Sequence, residues 1–224
     1  MSSSKDKLVI IGNGKIAKTL FHYMAQRFEV VCFAVEDSFI LEEIIEGDVV
    51  DCSIEKAEKL FSGSQFLTCV GYGAMNQTRF RLHEKVLNET TLVPTNFLSA
   101  HAFAPFYVTN GYNNIILDNV TIHPGATLGS NNIIWSQSVI SHGVNLGHNN
   151  WITAGAIISG DCTLGNNNFI GAGAVIAHNI TIGNSCYIGA NALIDQNLGD
   201  NVVVVAEKSR YLPYDANRFM QTIE

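Results

Sequence analysis

From Ile116 to Ile194 every sixth residue is aliphatic: Ile116, Ile122, Leu128, Ile134, Ile140, Leu146, Ile152, Ile158, Leu164, Ile170, Ile176, Ile182, Ile188 and Ile194, with no member missing or shifted. The positions between them hold small and turn-forming residues, as in Leu146-Gly147-His148-Asn149-Asn150, Leu164-Gly165-Asn166-Asn167-Asn168 and Ile182-Gly183-Asn184-Ser185. An amphipathic helix repeats about every 3.6 residues and a half-buried strand about every two, so neither accounts for the period. A period of six predicts a parallel β-helix with three short flat faces per coil. One aliphatic side chain per face points inward, and Gly or Asn occupies the corners where φ is positive. Six residues per face make eighteen per coil, so the fourteen hexads give between four and five coils.

The chain before the hexads follows a different pattern. Lys7-Leu8-Val9-Ile10-Ile11 is a short apolar run of the kind that forms a buried parallel strand, and Gly12-Asn13-Gly14-Lys15-Ile16-Ala17 follows it at once. A helical pattern then runs through Leu20, Met24 and Phe28. Strand, glycine turn and helix make the first half of a nucleotide-binding βαβ unit, where glycines admit a phosphate to the backbone and the helix N-terminus offers free N–H donors. The motif reads G-x-G-x-x-A. A second strand, Glu29 to Val35, ends in Glu36 and Asp37, a place where a carboxylate commonly accepts hydrogen bonds from a ribose or base. A third strand, Gln65 to Val70, leads into a second glycine turn, Gly71-Tyr72-Gly73-Ala74-Met75-Asn76, and a helix from Thr78 to Leu87 carrying Arg79 and Arg81, either of which could reach a diphosphate. The hexads begin too early for a complete six-stranded dinucleotide fold to precede them, so a mononucleotide or nucleotide-sugar fits better than NAD.

These patterns divide the chain into an α/β domain over residues 1–95 with a small Rossmann-like parallel sheet, a connection over 96–115 containing Phe103, Pro105, Phe106 and Tyr107, and a β-helix over 116–206. The stretch 207–224 is expected to cap the open end of the coil with Tyr211-Leu212-Pro213-Tyr214 and a short helix holding Arg218 and Met220. A net charge of −7 with only 13 Lys+Arg argues against nucleic acid or an anionic membrane as the main partner. The five cysteines are scattered and form no C-x-x-C pair, which suits buried free thiols in a reducing compartment. Met1 to Asp6 contain no apolar signal core and no stretch approaches a membrane span, so a cytoplasmic location is expected.

Residues eighteen apart stack in one column, roughly 4.8 Å apart. His142 sits where a face meets a corner and points outward, with Gly160 one coil above it and His178 two coils above. Asp161 stacks on Gly143, bringing a carboxylate beside the neighbour of His142, as suits a general base held in one tautomer. His142, His148 and His178 are also candidate zinc ligands. His142 and His178, however, are two coils apart, roughly 9–10 Å, too far for one metal within a chain, so no metal is expected.

A Gly-x-Gly domain followed by unbroken hexads resembles the bacterial sugar N-acetyltransferases of the left-handed β-helix class. It is similar to those that acetylate UDP- or dTDP-linked 4-amino-4,6-dideoxyhexoses, and to the sialic acid O-acetyltransferases. The likeness runs from Lys7 to about Val205 and is most specific at Gly12-Asn13-Gly14 and in the block from Ser138 to Gly147 through Ala154-Gly155-Ala156. The resemblance implies a homotrimer that binds acetyl-CoA in the groove between neighbouring β-helices and a nucleotide-sugar beside the N-terminal domain, and that serves surface polysaccharide or glycan biosynthesis. By the same resemblance His142 is the catalytic base, Gly12, Asn13, Gly14 and Lys15 approach the diphosphate, Glu36 or Asp37 the base, and Gly71, Tyr72 and Gly73 line the same pocket. Gly160, Ala172 and Ala190 would leave room for the pantetheine arm. Two positions depart from the family pattern. Gly143 stands where many members carry Glu or Asp, with Asp161 offered as the replacement carboxylate. Trp151 stands where a second histidine often faces the thioester carbonyl: either its backbone N–H takes over that contact, or the acyl pocket has changed shape and accepts a different acyl group. Direct attack fits better than an acyl-enzyme, since no Ser or Cys stands beside a base. O-acetylation of a sugar hydroxyl and a non-catalytic nucleotide-sugar-binding β-helix are the alternative functions.

Overall fold

Each hexad folds as a two-residue strand and a corner, and the corner has its own period. Three residues after each inward aliphatic position, φ is positive at every corner from Asn119 to Asn191, with Asn113 one hexad before the series. Seven of the thirteen corners from Asn119 to Asn191 are Asn or Asp and four are Gly, the residue types for which the left-handed conformation costs least. The next residue points inward again and is small at most levels, as at Val120, Ala126, Val144, Ala156 and Ala174. In the computed structural model, which describes residues 5–41, 44–105, 111–213 and 215–221, strands eighteen residues apart pair in parallel register, Ile134 on Ile116, Ile152 on Ile134, Ile170 on Ile152. Three parallel sheets result, wrapped as a left-handed β-helix around a core of stacked Ile, Leu and small residues. No helix among the described residues is long and apolar enough to cross a membrane.

The coil begins earlier than the hexads suggest. Phe97–Leu98 already pairs with Ile115–Ile116, and Phe103 bridges to Thr121, so the first part of the stretch expected to be a connection is a coil of its own. Leu98 obeys the six-residue rule, but Ala104 takes the next inward place and breaks the aliphatic series. Phe106 and Tyr107 lie outside the described residues. At the other end Val203–Val204 pairs with Tyr187–Ile188 at a spacing of sixteen rather than eighteen. Among the described residues of the stretch expected to cap the coil, a short helix, Ala216–Met220, is present, with Tyr211 93% exposed and Met220 51% exposed. Tyr214 is outside the described residues.

The residue just before each inward one faces out and gives each sheet its character. One face presents Ile115, Ile133, Trp151, Phe169 and Tyr187, and the N-terminal domain packs on it. A second presents Thr127, Asn145, Thr163 and Thr181. The third presents Thr121, Val139, Ile157, Val175 and Leu193, and on it Ile157 and Leu193 remain 39% and 63% exposed.

The N-terminal domain is built on β1 (Lys7–Ile11), α1 (Lys15–Arg27) and β2 (Glu29–Val35), followed by β3 (Ile44–Glu46), β4 (Val49–Ser53), α2 (Ile54–Phe61), β5 (Gln65–Thr68), α3 (Gln77–Glu89) and β6 (Val93–Pro94). The sheet order is β3-β4-β2-β1-β5-β6, parallel except where β3 turns back on β4. Sequence pattern did not foresee β4, which is short and carries Asp51 at a buried position, nor α2, whose Ser53 cap accepts from Lys56 N at 3.1 Å.

Arg79 joins the two domains. Fully buried, it donates to the carbonyls of Asn131, Asn149 and Asn150 at 3.3, 3.1 and 3.4 Å, and its guanidinium lies over the Trp151 ring at 5.3 Å. Burial lowers its pKa to about 9, partly opposed by Cys69, which leaves it cationic at neutral pH. Asn76, left-handed at φ 66, donates to Asn168 O and accepts at its own carbonyl from Asn149 Nδ2, both at 3.1 Å.

One turn further along α3, His83 is buried against Thr68 Oγ1 at 3.1 Å. Burial, then the nearby Arg79 charge, lowers its pKa from 6.5 to about 4. The sign follows from proton counts. Below pH 6.5 the unfolded chain takes up a proton that the folded one refuses, so stability is full above 6.5 and is lost as pH falls toward 4. The loss is expected to reach up to about 3 kcal/mol. Urea unfolding between pH 7 and 5 should show it, and His83→Gln should flatten the slope in that window.

Candidate active site

The two glycine turns meet at the C-terminal ends of β1 and β5 and enclose a cavity of about 340 Å³. Gly12 has φ +110, and a Cβ there would sit 3.0 Å from Val70 Cγ2 and 3.2 Å from Cys69 O, so the turn admits no side chain. Gly14 meets nothing within 4 Å and leaves the N-terminus of α1 open, with neither a side-chain cap nor an acidic residue in its first turn. Those unpaired N–H groups and the helix dipole favour an anion in the cavity. Lys15 and Arg81 line the same space and add positive charge; Gly71, Thr78 and Phe39 complete it.

The expected substrate residues divide here. Gly12, Asn13, Gly14, Lys15, Glu36 and Gly71 line the cavity. Asn13, however, spends its amide on Asp51 Oδ2 at 2.9 Å and Phe39 O at 2.8 Å, and Asp51 also accepts from Leu41 N at 2.8 Å. Asn13 and Asp51 thus brace the loop after β2 from within. Glu36 is paired with Lys85 at 3.1 Å. Three residues do not line the cavity. Asp37 opens an exposed 3-10 turn. Tyr72 turns toward the β-helix and packs its ring on Phe169 at 4.9 Å and Trp151 at 5.3 Å. Gly73 stays inside its own turn, 3.8 Å from Thr78 Oγ1 as judged from an added Cβ. Of the two arginines proposed for a diphosphate, Arg81 reaches the cavity and Arg79 serves the domain junction.

His142 is exposed on the prism edge opposite the face that carries the N-terminal domain. Asp161 does occupy the space above Gly143, so that a side chain at 143 would collide with its carboxylate. Its carboxylate, however, faces His178 Nε2 at 3.7 Å, and no hydrogen bond among the described residues joins it to the His142 imidazole. The link it makes with His142 is through the backbone, Asp161 N donating to His142 O at 3.0 Å. The expected orientation of His142 by Asp161 is therefore replaced by an Asp161–His178 pair.

Trp151 also differs from expectation. Trp151 is 2% exposed at the domain junction, and its backbone N–H, the group expected to meet a thioester, donates instead to Asn168 O at 2.8 Å. Gly160 faces the His142 ring: a Cβ added there would stand 2.7 Å from His142 Cε1 and Nε2. Ala172 and Ala190 are exposed, one above the other on a different edge. That edge and the His142 edge border the same face, the aliphatic one with Ile157 and Leu193. No cluster of three metal-ligating side chains occurs among the described residues.

A Rossmann-like domain docked on one face of a hexad-built prism, with a phosphate-type cavity on one side and an outward imidazole on the other, defines the class. The repeats match the bacterial transferase hexapeptide family (six repeats) over residues 143–178 and 162–196. No curated sequence gives a match. Among solved structures, PerB from Caulobacter crescentus in complex with CoA and GDP-perosamine is similar over 92% of this chain and 95% of that one, at 22% identity and a TM-score of 0.75. The acetyltransferase domain of PglB from Neisseria gonorrhoeae in complex with acetyl coenzyme A is similar over 93% of this chain and 100% of that one, at 20% identity and a TM-score of 0.78. WeeI from Acinetobacter baumannii covers 92% and 99%, at 17% identity and a TM-score of 0.75. The two-domain fold is thus shared over 92–93% of this chain.

Proposed function

We propose that the protein is a homotrimeric acyltransferase that moves an acetyl group from acetyl-CoA to the amino group of a nucleotide-linked amino-dideoxy sugar, for surface polysaccharide or glycan assembly. The observation that carries the reading is the pairing of an anion-binding cavity with an outward imidazole on a frame shared, over 92% of this chain, with a protein that holds CoA and GDP-perosamine. The neutral amine attacks the thioester carbonyl; a C–N bond forms and the C–S bond breaks. His142 takes the proton the nitrogen sheds and returns it to the departing thiolate, while a backbone N–H steadies the oxyanion. Asp161 keeps an anion on the same edge, which favours the imidazolium formed on the way. Arg81, Lys15 and the open end of α1 hold the diphosphate.

Cavity and imidazole stand on opposite sides of one prism, so a nucleotide-sugar held by one protomer reaches the base of another. The exposed aliphatic face supports that assembly. It is bordered by the His142 edge on one side and by Ala172 and Ala190 on the other, so burying it between copies brings base and thioester groove together.

Thiol release from acetyl-CoA, measured against a panel of UDP-, dTDP- and GDP-linked amino and non-amino sugars, tests the reading. Turnover with amino sugars alone is the expected result. Turnover with the hydroxy sugars would make it an O-acetyltransferase, and nucleotide binding without CoA binding would leave a scaffold.

A further inference from the structure

We infer that Gly160 is the seat of the His142 imidazole, a positioning residue for the acyl transfer; the inference rests on His142 being the base. The ring folds back along the edge onto the coil above. A Cβ added at Gly160 would stand 2.7 Å from His142 Cε1 and Nε2 and 3.3 Å from Cδ2, and these ring atoms are its three nearest neighbours. A methyl group there and the ring in its present rotamer exclude each other.

The fold itself asks for no glycine at this place. The left-handed corner of this hexad is Asp161, at φ 58, while the φ of Gly160 lies outside that region. The equivalent place in the other hexads, two residues after the inward aliphatic, carries a side chain at every level: Ser136, His142, His148, Ala154, Asn166 and Ala172 are the nearest instances, and no other glycine occurs there from Asp118 to Gln196. The corner therefore accepts a Cβ everywhere else along the coil, and the one level without it is the level on which the imidazole lies. With no hydrogen bond to Asp161, the ring is held in place by this contact with the glycine above it.

The test is Gly160→Ala in the full chain, beside His142→Ala and the double variant. A displaced ring lowers kcat by about 10- to 100-fold with KM for acetyl-CoA and for the sugar nearly unchanged, since a misplacement of about 1 Å is worth that much. The imidazole resonance of His142 moves in the NMR spectrum of Gly160→Ala. The double variant, in which the methyl has open space, is no slower than His142→Ala alone. A raised KM for acetyl-CoA with kcat kept would overturn the inference and return Gly160 to the donor groove. So would an unmoved resonance with full turnover, or a double variant slower than His142→Ala. Failure of the base reading is distinct: His142→Ala itself would then turn over normally.

Discussion

Replacing His142 with alanine is expected to lower kcat by about 10²- to 10⁴-fold, the usual contribution of a positioned general base. The KM values should change little, because the imidazole takes the proton in the transition state rather than binding either substrate beforehand. The outward face of the coil gives the variant no packing penalty: His142 is exposed and makes no side-chain hydrogen bond among the described residues, so its melting temperature should match the parent's. Raising the pH should recover part of the rate where the amine is already neutral, since the remaining cost is then proton removal after attack. Full activity at neutral pH would remove His142 from the mechanism and point to a base supplied by the substrate.

A second large effect is expected at Arg79, and it concerns stability. Arg79→Ala should cost roughly 3–5 kcal/mol, from the lost guanidinium contacts, the cavity left at the junction and the carbonyls left without a donor. The carbonyls of Asn131 and Asn149 take their hydrogen bonds from Arg79, at 3.3 and 3.1 Å, whereas that of Asn150 also receives Ile133 N at 3.0 Å. Both tryptophans stand close to the junction, Trp135 and Trp151 with ring centroids 5.7 Å apart, so their fluorescence reports undocking directly. Urea titration followed by fluorescence and by circular dichroism should separate in the variant, with the junction opening before the coil unfolds. A loss below about 1 kcal/mol with coincident transitions would show that the apolar stripe alone holds the domains together.

The coil was legible because its signal is periodic and redundant: each hexad states the inward residue, the corner and the turn former again. Gly12 was legible for a related reason, since a tight turn after a buried strand leaves glycine little competition. The junction was hidden. Ile133, Trp151 and Phe169 stand beside the inward aliphatics and read as ordinary strand residues until the N-terminal domain covers them. Arg79 and Arg81 are two residues apart on one helix, and only the packing of α3 on the coil decides which meets the cavity. Asp51 was missed because β4 is short and its one polar anchor shows no pattern. Stacking arithmetic placed Asp161 above Gly143 correctly, but it could not give the direction of the carboxylate, which is set by χ angles and by His178 in the coil above.

The grip of Asn76 and Arg79 on the levels of Asn131, Asn149 and Asn168 has a consequence for how this chain can change its length. Height along the prism is fixed by counting coils, so gaining or losing one whole coil below His142 would shift the imidazole against the docked domain by about 4.8 Å. Removing one residue from a coil would turn every later aliphatic side chain out of the core, whereas removing eighteen would shorten the prism and leave its faces aligned. The molecule is a ruler graduated in coils: the docked domain grips the levels of Asn131, Asn149 and Asn168, and divergence in length is tolerable beyond those levels, toward the shortened final turn.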